Sequence, residues 1–474
     1  MEALLLAGWV APLALWTHQL NPPDGAPMVT FLGRTRAGAL RFAVPAMLLC
    51  LLYAGAVRLT SRARGRTASV VAVAGAVLFA LTLLPMFPGG TQDIFHNVAD
   101  ARLLWRHGVN PLQVPPSAYP DDPFFVHLFG YADLTSAYGP LWYLIAGLPA
   151  ALAGDGLVAN LVAQKALMAA FLLATVVIVG SAAGTSSLAP AQRDRTASGR
   201  RAGFAAAAVL VGWNPLLLWE FAGNGHNDII MVFFAALAFI AAARGWWRSV
   251  FPLLALSALV KFTTLLLGPV LLVWLLRRPD APRAKIVTGL ALAAALTAVA
   301  YVPFWAGADT VTFLRRPGMS FILSPATLLH GALTAVMGGA EAARLTQELT
   351  GAAFAAAFGV TLLRLGRRTV TLTAAGFDAL FGYLVFASWW WWPWYLSWLA
   401  PPAAWQAPRR RAWVFALFTT AALLTYCYWW QDPAEGTRAW FALYALIATG
   451  VFGLPLALWL SEARAARSRT GRES

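Results

Sequence analysis

The stretch RLTSRARGRTASVVAVAGAVLFALTLLPMFPGGTQDIFHNVAD, residues 58–100, joins three kinds of sequence that together predict how the chain lies in a membrane. An arginine-rich segment at 58–66 precedes an apolar run at 68–87, which is about as long as a helix that crosses a bilayer. A polar patch that contains Asp93 follows directly. Because arginine-rich loops stay on the cytoplasmic side, this order predicts that the helix runs outward and that Asp93 lies just outside the membrane.

The composition extends this pattern to the whole chain. Of its 474 residues, 59% are hydrophobic and 12% are charged, whereas a soluble domain carries roughly 25% charged residues. Lipid offers no partners to backbone groups, so the apolar runs should be helices. We expect an all-α polytopic membrane protein with about 12–14 transmembrane helices. The expected spans lie near 4–20, 42–57, 68–87, 160–182, 203–221, 229–243, 250–276 (a hairpin of two short helices), 285–304, 352–366, 372–388, 390–404, 412–430 and 439–460.

The net charge of +15 is concentrated in short loops between these spans. This is the positive-inside pattern, and it does not indicate nucleic-acid binding. We expect the following basic segments in the cytoplasm: 58–66, 192–201, 277–285, 364–368, 408–411 and the tail 462–474. The two cysteines, Cys50 and Cys427, both lie inside apolar runs and suggest neither a disulfide framework nor a metal site.

This topology places two long segments outside, residues 88–137 and 305–350. The helical spacing of DIFHNVADARLLWRHG predicts an amphipathic helix along the outer membrane surface. The apolar segment 138–154 is expected to be a re-entrant or interfacial helix, because a full crossing there would move the basic loop 192–201 to the wrong side.

Asp93 is the candidate catalytic base, since a carboxylate at the boundary between water and lipid can take a proton from an acceptor hydroxyl. The alternative is that Asp93 caps a helix N-terminus, and the two roles are compatible. His96, Asp100 and Arg102 share the same polar patch and are candidates for binding substrate.

A second polar group, Asn224, His226, Asn227 and Asp228, lies between two spans and shares a face with Asp93 in this topology. It could be a tight turn with Asp228 as a helix cap, or a set of hydrogen-bonding groups for sugar hydroxyls. We take Asn224, His226 and Asp228 as substrate-binding candidates.

Lys261 interrupts an apolar hairpin, so it should either snorkel to the interface or bind an anion such as phosphate. Arg315 and Arg316 are further anion-binding candidates in the segment 305–350, and His330 could line the site. The run SWWWWPWYLSW at 388–398, which includes Trp389, is typical of an interfacial belt. It could also line a lipid chain or stack on a sugar ring.

With these pieces in place, the chain resembles the GT-C integral-membrane glycosyltransferases. LPMFPGGTQDIFHNVADARLLWRHGVNPL is similar to the acidic loop after an early transmembrane helix in that superfamily, and Asp93 matches its catalytic acid. NPLLLWEFAGNGHNDIIM, YGPLWYLI and ALVKFTTLLLGPVLL resemble segments of the polyprenol-phosphate-mannose-dependent mannosyltransferases, which include the lipomannan α-1,6-mannosyltransferases and family 87. The resemblance covers roughly residues 68–405.

The resemblance implies an inverting transfer of a hexose, most simply mannose, from a polyprenyl-phosphate donor to a glycan or glycolipid acceptor on the outer face of a bacterial-type plasma membrane. One carboxylate suffices as base, because a phosphate leaving group needs positive charge rather than a general acid. No cofactor is expected, and the acidic motif DIFHNVAD departs from a paired-acid metal motif, so the sequence does not support a divalent metal. The alternatives are a transporter or lipid flippase, an O-antigen-type polymerase or ligase, and a scaffold subunit.

Overall fold

The structure is a computed structural model that describes residues 1–12, 36–63, 65–128, 132–183, 188, 197–308, 310, 321–407, 410–430 and 437–461. These residues form eighteen α-helices and no β-strand, with one isolated parallel bridge between Ile322 and Trp390. The predicted all-α polytopic class is confirmed. Arg315, Arg316 and the tail 462–474 lie outside the described residues.

In chain order, the α-helices are α1 Glu2–Leu5, α2 Arg36–Thr60, α3 Arg66–Leu83, α4 Asp93–Trp105, α5 Pro140–Ala153, α6 Leu157–Ala182, α7 Ala197–Gly212, α8 Pro215–Leu217, α9 Asp228–Arg244, α10 Val250–Ala258, α11 Leu267–Leu276, α12 Arg283–Tyr301, α13 Pro325–Thr334, α14 Gly339–Gly366, α15 Leu372–Gly382, α16 Ala400–Ala404, α17 Arg410–Leu423 and α18 Arg438–Ala448. Short π segments continue four of them, at Leu6–Val10, Leu218–Gly223, Tyr383–Ala387 and Thr449–Gly453.

Six of the described helices are long and apolar enough to cross a membrane, or seven if one bent pair counts as a single span. This is fewer than the expected spans, because several of those are built from short helices joined at a break. The predicted hairpin at 250–276 is such a case: α10 and α11 are joined by a 3₁₀ segment, Phe262–Leu266. Three shorter apolar helices add to the six, at Pro140–Ala153, Phe262–Leu276 and Leu372–Ala387.

The bent span, Arg201–Gly212 followed by Pro215–Gly223, turns by 51° at the sequence WNP. Pro215 cannot continue the hydrogen-bond ladder of α7, but it is well suited to the first position of a new helix. Asn214 caps that helix, because its side-chain oxygen accepts from the backbone N–H groups of Leu216 and Leu217. The break therefore sets the direction in which residues 218–228 reach the site.

The α4 helix begins and ends close to the predicted limits, but it is not half exposed as a surface helix would be. Nine of its thirteen residues are buried, because α5, α6 and the segment 116–128 pack around it. The α5 helix has 14 residues and is about 21 Å long, shorter than the roughly 30 Å hydrocarbon core. A short helix of this kind fits the re-entrant or interfacial prediction for 138–154.

Basic segments that are far apart in sequence lie side by side. Ser69 donates to the backbone oxygen of Arg201, Arg368 donates to that of Arg277, and Arg410 donates to Ser461. These contacts join the ends of helices that flank the arginine-rich loops, as a topology with these loops on one side requires.

Candidate active site

The segment that leads to Asp93 is held at its base by Lys165 of α6. This side chain is fully buried, and its ammonium donates to the backbone oxygens of Leu83, Leu84 and Met86. Carbonyl groups at the C-terminus of a helix have no partner within the helix and carry partial negative charge. Lys165 satisfies these carbonyls at the end of α3 and so fixes where the chain turns toward Asp93.

Gly90 joins this segment to the Asn224 group. Its N–H donates to the side-chain oxygen of Asn224 at 3.0 Å. A Cβ at Gly90 would lie 2.6 Å from the Asn224 amide nitrogen and 2.8 Å from the indole nitrogen of Trp219, so only glycine allows this approach. Asn224 is fully buried and also donates to Glu220 at 3.2 Å, which places it as a structural link.

Asp93 is the first residue of α4, and Gln92 is the N-cap. The structure therefore does not show Asp93 as the helix cap. A carboxylate in the first turn is still stabilised by the helix dipole. The Asp93 side chain is 38% exposed, but surrounding protein desolvates its carboxylate and raises its pKa to about 6, while the positive charge of Lys261 acts in the opposite direction. Asp93 is thus reachable from solvent and has the pKa of a base that works near neutrality.

His226 lies between Asp93 and a deeper acid. Its Nδ1 is 3.7 Å from Asp93 Oδ2, and its Nε2 is 3.3 Å from Glu220 Oε2. Only 2% of the His226 side chain is exposed, and burial lowers its pKa well below the usual value. The ring stacks on Trp394 with centroids 3.8 Å apart. His226 is therefore a neutral, fixed imidazole behind Asp93 rather than an open sugar-binding side chain.

Glu220 ends this chain of polar groups inside the protein. It is fully buried in the π segment before Asn224, and its carboxyl group accepts from the Tyr426 hydroxyl at 2.5 Å. The 3.7 Å contact of His226 with Asp93 is beyond hydrogen-bond distance, and His226 Nε2 is buried without a hydrogen-bond partner among the described residues. The three side chains are therefore close neighbours, but no hydrogen-bonded path joins Asp93 to Glu220 through His226.

Asp228 and Lys261 form an ion pair beside these side chains. The Lys261 ammonium is 3.1 and 3.0 Å from the two carboxylate oxygens of Asp228, and the Trp398 indole donates to the same carboxylate at 2.8 Å. Asp228 is the first residue of α9 and makes no side-chain cap, so the capping alternative does not apply. Lys261 is 15% exposed and does not snorkel. Its ammonium also lies 4.8 Å from the centre of the Tyr395 ring.

The aromatic run at 388–398 packs inward. Trp391, Trp394 and Trp398 are at most 4% exposed, so these three rings do not form a lipid-facing belt. Trp394 and Trp398 instead contact His226 and Asp228. This run is a wall of the site, which corresponds to the lining alternative.

Other predicted residues have different surroundings. Asp100 is buried and accepts from Ser136 at 2.5 Å. Arg102 pairs with Asp122 at 3.0 Å and with Asp155 at 2.8 Å. It lies nine residues after Asp93, about 13 Å along the helix. Both residues shape the region around α4 and do not touch Asp93.

His96 is half-buried on α4, and burial lowers its pKa to about 4, so it is neutral near pH 7. His330 stacks on Phe321, with ring centroids 4.4 Å apart, and Trp389 donates its indole N–H to Thr350 at 2.9 Å. His330 and Trp389 thus belong to an aromatic group between α13 and α14. In the part of the chain that the structure describes, no three His, Cys, Asp or Glu side chains are grouped as metal ligands.

The site residues expected from the sequence do not include Lys165, Glu220 or Tyr426. Glu220, like Asp378, is a functional candidate by default as an acid in an apolar run, and Lys165 carries the same signal, because an ionisable residue there is costly. Tyr426 gave no such signal, since its contact with Glu220 joins residues 206 positions apart.

Five side chains, Asp93, Glu220, His226, Asp228 and Lys261, are named the Asp93 cluster below. The profile of a protein family described as alpha-(1->6)-mannopyranosyltransferase, N-terminal domain, matches residues 3–278. This is more than half of the chain, and it includes the whole Asp93 cluster. Searches of curated proteins and of solved structures gave no match.

Proposed function

The chain belongs to the family of alpha-(1->6)-mannopyranosyltransferases, and we propose that Asp93 is its catalytic base and that its donor is a mannose linked to a polyprenyl phosphate. The protein is an alpha-mannosyltransferase with membrane-spanning helices. The proposed acceptor is the 6-hydroxyl of a mannose in a glycan or glycolipid. The enzyme would then be a GT-C-type transferase that inverts the anomeric centre.

Asp93 supports the proposed chemistry because it is the exposed member of the cluster. Its carboxylate takes the proton of the acceptor hydroxyl while the acceptor oxygen bonds to C1 of mannose. The bond between C1 and the phosphate oxygen breaks, and its electron pair leaves with polyprenyl phosphate. An alpha product made by one inverting displacement requires a beta-linked mannosyl phosphate as donor. His226 packs behind this carboxylate at 3.7 Å, which is beyond hydrogen-bond distance, so the proton stays on Asp93 until it is released to solvent.

Lys261 is the positively charged side chain beside Asp93 that would stabilise the leaving phosphate. Its charge lowers the pKa of Asp93 against the larger effect of burial, so the two groups are electrostatically coupled. The developing charge on a leaving phosphate needs a fixed positive group. Asp228 and the Tyr395 ring orient the ammonium, and its 15% exposure leaves room for one further ligand.

An apolar crevice beside the cluster supports a lipid-linked donor. It begins at Trp398, which contacts Asp228, and runs along one face of α9, past Val232 and Phe239, to Trp405. Its volume is only about 20 Å³, so an isoprenoid chain would enter it only if the walls moved apart, but these walls have the apolar character that such a chain needs. The crevice adjoins the charged groups, as the tail of such a donor must adjoin its phosphate.

The orientation of the site follows from the same arrangement. Arginine-rich segments lie together at the far ends of the helices that carry the cluster. If these segments are cytoplasmic, Asp93 and Lys261 are on the outer side of the membrane. We propose that this is a bacterial-type plasma membrane, with the product built in the cell envelope as a lipoglycan.

The observation that carries the proposal is Asp93, the one exposed carboxylate of the cluster, whose pKa is coupled to the positive charge of Lys261. The test uses purified protein in lipid vesicles with an alpha-(1->6)-linked oligomannoside as acceptor. Transfer from beta-mannosyl phosphopolyprenol and none from nucleotide-linked mannose is the expected result. Transfer from the nucleotide sugar, or none from any lipid-linked sugar in a panel of donors and acceptors, would overturn it.

A further inference from the structure

A second recess lies at the opposite end of α4 from Asp93. Its walls come from the last turn of α4, from the segment 118–123 and from the α5–α6 turn at Asp155. The cavity has a volume of about 270 Å³, close to the lower end of the range for small-molecule sites, roughly 300 to 1,000 Å³. It is open to solvent, so a large ligand could lie in it with only part of its length enclosed.

The polar side chains of this recess are already held in place. Asp122 lies 3.0 Å from Arg102 and 2.8 Å from His107, and Asp155 lies 2.8 Å from Arg102 and 3.1 Å from Arg106. Each group is fixed by a neighbour before any ligand arrives, which lowers the entropic cost of binding. Arg106 and Asp155 are the exposed pair, with 61% and 55% of their side chains accessible, so their remaining hydrogen-bonding positions can meet neighbouring hydroxyl groups on a sugar ring.

An aromatic group completes the wall. Tyr119 stacks on His107 with ring centroids 4.1 Å apart, and the ring is half-buried beside Pro120. A rigid aromatic ring offers an apolar surface to the C–H face of a sugar at a low entropic cost. Asp121, at the rim, is exposed and has no ion-pair partner among the described residues, so its carboxylate can accept from ligand hydroxyls.

The charges of the recess argue against other ligand classes. Two arginines and His107 stand beside three aspartates, Asp121, Asp122 and Asp155, so the recess has no excess of positive charge. A phosphate or nucleic acid would find no surplus cation to bind there. No metal-ligand group is found among the described residues. A neutral, polyhydroxylated ligand fits this balance best.

We propose that this recess binds the glycan chain of the acceptor at a distance from the reacting hydroxyl. The proposal rests on the function proposed above. Arg106 is thirteen residues after Asp93, which is about 20 Å along α4, so only an acceptor of several sugar units can fill both sites. The recess would therefore make the enzyme favour long acceptors over short ones.

The test compares Asp121→Asn and Tyr119→Ala with Asp133→Asn, which changes another exposed carboxylate of the same segment outside the recess. Acceptors are a long alpha-(1->6)-linked oligomannoside and methyl mannoside. For the long acceptor, KM should rise about tenfold in the two recess variants, because hydrogen bonds to a charged group and a stacking surface are lost. In the two recess variants, kcat and the use of methyl mannoside should remain unchanged. The Asp133→Asn variant should behave like the wild type with both acceptors.

Direct binding of the oligomannoside, measured without donor, separates this inference from the proposed function. Wild-type protein and Asp133→Asn should bind it, and Asp121→Asn should bind it about tenfold more weakly, even if the donor were misassigned. Equal binding by all three proteins would overturn the inference. An equal rise in KM for both acceptors would also overturn it, because the recess would then not recognise chain length.

Discussion

Two ionic groups of this protein, the Asp93 cluster and a cluster around Asp378, each combine aspartate with a basic side chain and a tryptophan indole but differ in whether a carboxylate is left exposed. Asp378 accepts from two nitrogens of Arg411 at 2.9 Å and from the Trp459 indole at 2.9 Å, and both ionic side chains are less than 10% exposed. The ionisable group in contact with Asp93 is His226, at 3.7 Å, and the Asp93 side chain is 38% exposed. The Asp378 cluster is a closed link between α15, α17 and the helical residues 454–461, whereas the Asp93 cluster has one carboxylate that is exposed.

The contrast is between a carboxylate whose hydrogen-bonding capacity is used inside the protein and one that is left exposed, and it supports the proposed role of Asp93. Both acids stand in or beside apolar runs, and both are costly there. Asp378 is compensated by a guanidinium that fits its carboxylate in two places. Asp93 is compensated only in part by Lys261, which itself is paired with Asp228, so Asp93 remains available to a substrate.

The greatest change is expected in stability. Asp378→Asn should lower the free energy of unfolding by about 3–5 kcal/mol, because it leaves the buried charge of Arg411 without its partner. Transfer activity per folded molecule should stay near that of the wild type. Unfolding in detergent, with activity measured on the folded fraction, checks both statements. The double variant Asp378→Leu with Arg411→Met removes both charges and should be less destabilised. If Asp378→Asn lost activity but kept the stability of the wild type, the Asp378 cluster would not be the purely structural link described here.

A smaller effect is expected at Lys165. Lys165→Met keeps the length of the side chain but leaves the backbone oxygens of Leu83, Leu84 and Met86 without their donor, so stability should fall by about 1–3 kcal/mol. Because these carbonyls begin the segment that positions Asp93, kcat should fall while KM for the donor changes little. The matched control is Lys285→Met, which removes an exposed lysine. If both variants behave alike, Lys165 does not support the site.

The mildest effect concerns the pH dependence of transfer. The reaction needs ionised Asp93, whose pKa is about 6, so kcat/KM should fall below pH 6 and be about tenfold lower at pH 5 than on the plateau. Lys261 lowers that pKa, so in Lys261→Met the fall should begin at higher pH, and KM for the donor should rise about tenfold. A pH profile and donor KM equal to those of Lys285→Met would show that Lys261 is not coupled to Asp93.

Much of the fold and part of the site could be predicted from the sequence. Apolar runs and arginine-rich loops predicted the membrane helices, the hairpin at 250–276 and the short helix at 138–154, because lipid imposes local rules that each segment must obey. Asp93 lies beside His226 and Asp228 beside Lys261, as expected for residues that the topology brings to one face, but their role in binding and catalysis stays a prediction.

The roles of individual polar residues depend on tertiary contacts that no local pattern shows. The sequence predicts Arg102 as a substrate ligand, but in the structure its guanidinium pairs with Asp122 and Asp155. The tryptophans of 388–398 looked like an interfacial belt, because their composition is the same whether they face lipid or protein. Sequence could not tell which charges were already paired.

The decisive measurement is the transfer rate of Asp93→Asn in lipid vesicles, with beta-mannosyl phosphopolyprenol as donor. The control is Asp133→Asn, which changes an exposed aspartate on the same polar segment. Asp93→Asn should melt like the wild type but lose at least about 10²-fold in kcat, as expected when a general base is removed, while Asp133→Asn keeps its rate. A turnover of Asp93→Asn equal to that of the wild type would contradict the assignment of Asp93 as the base.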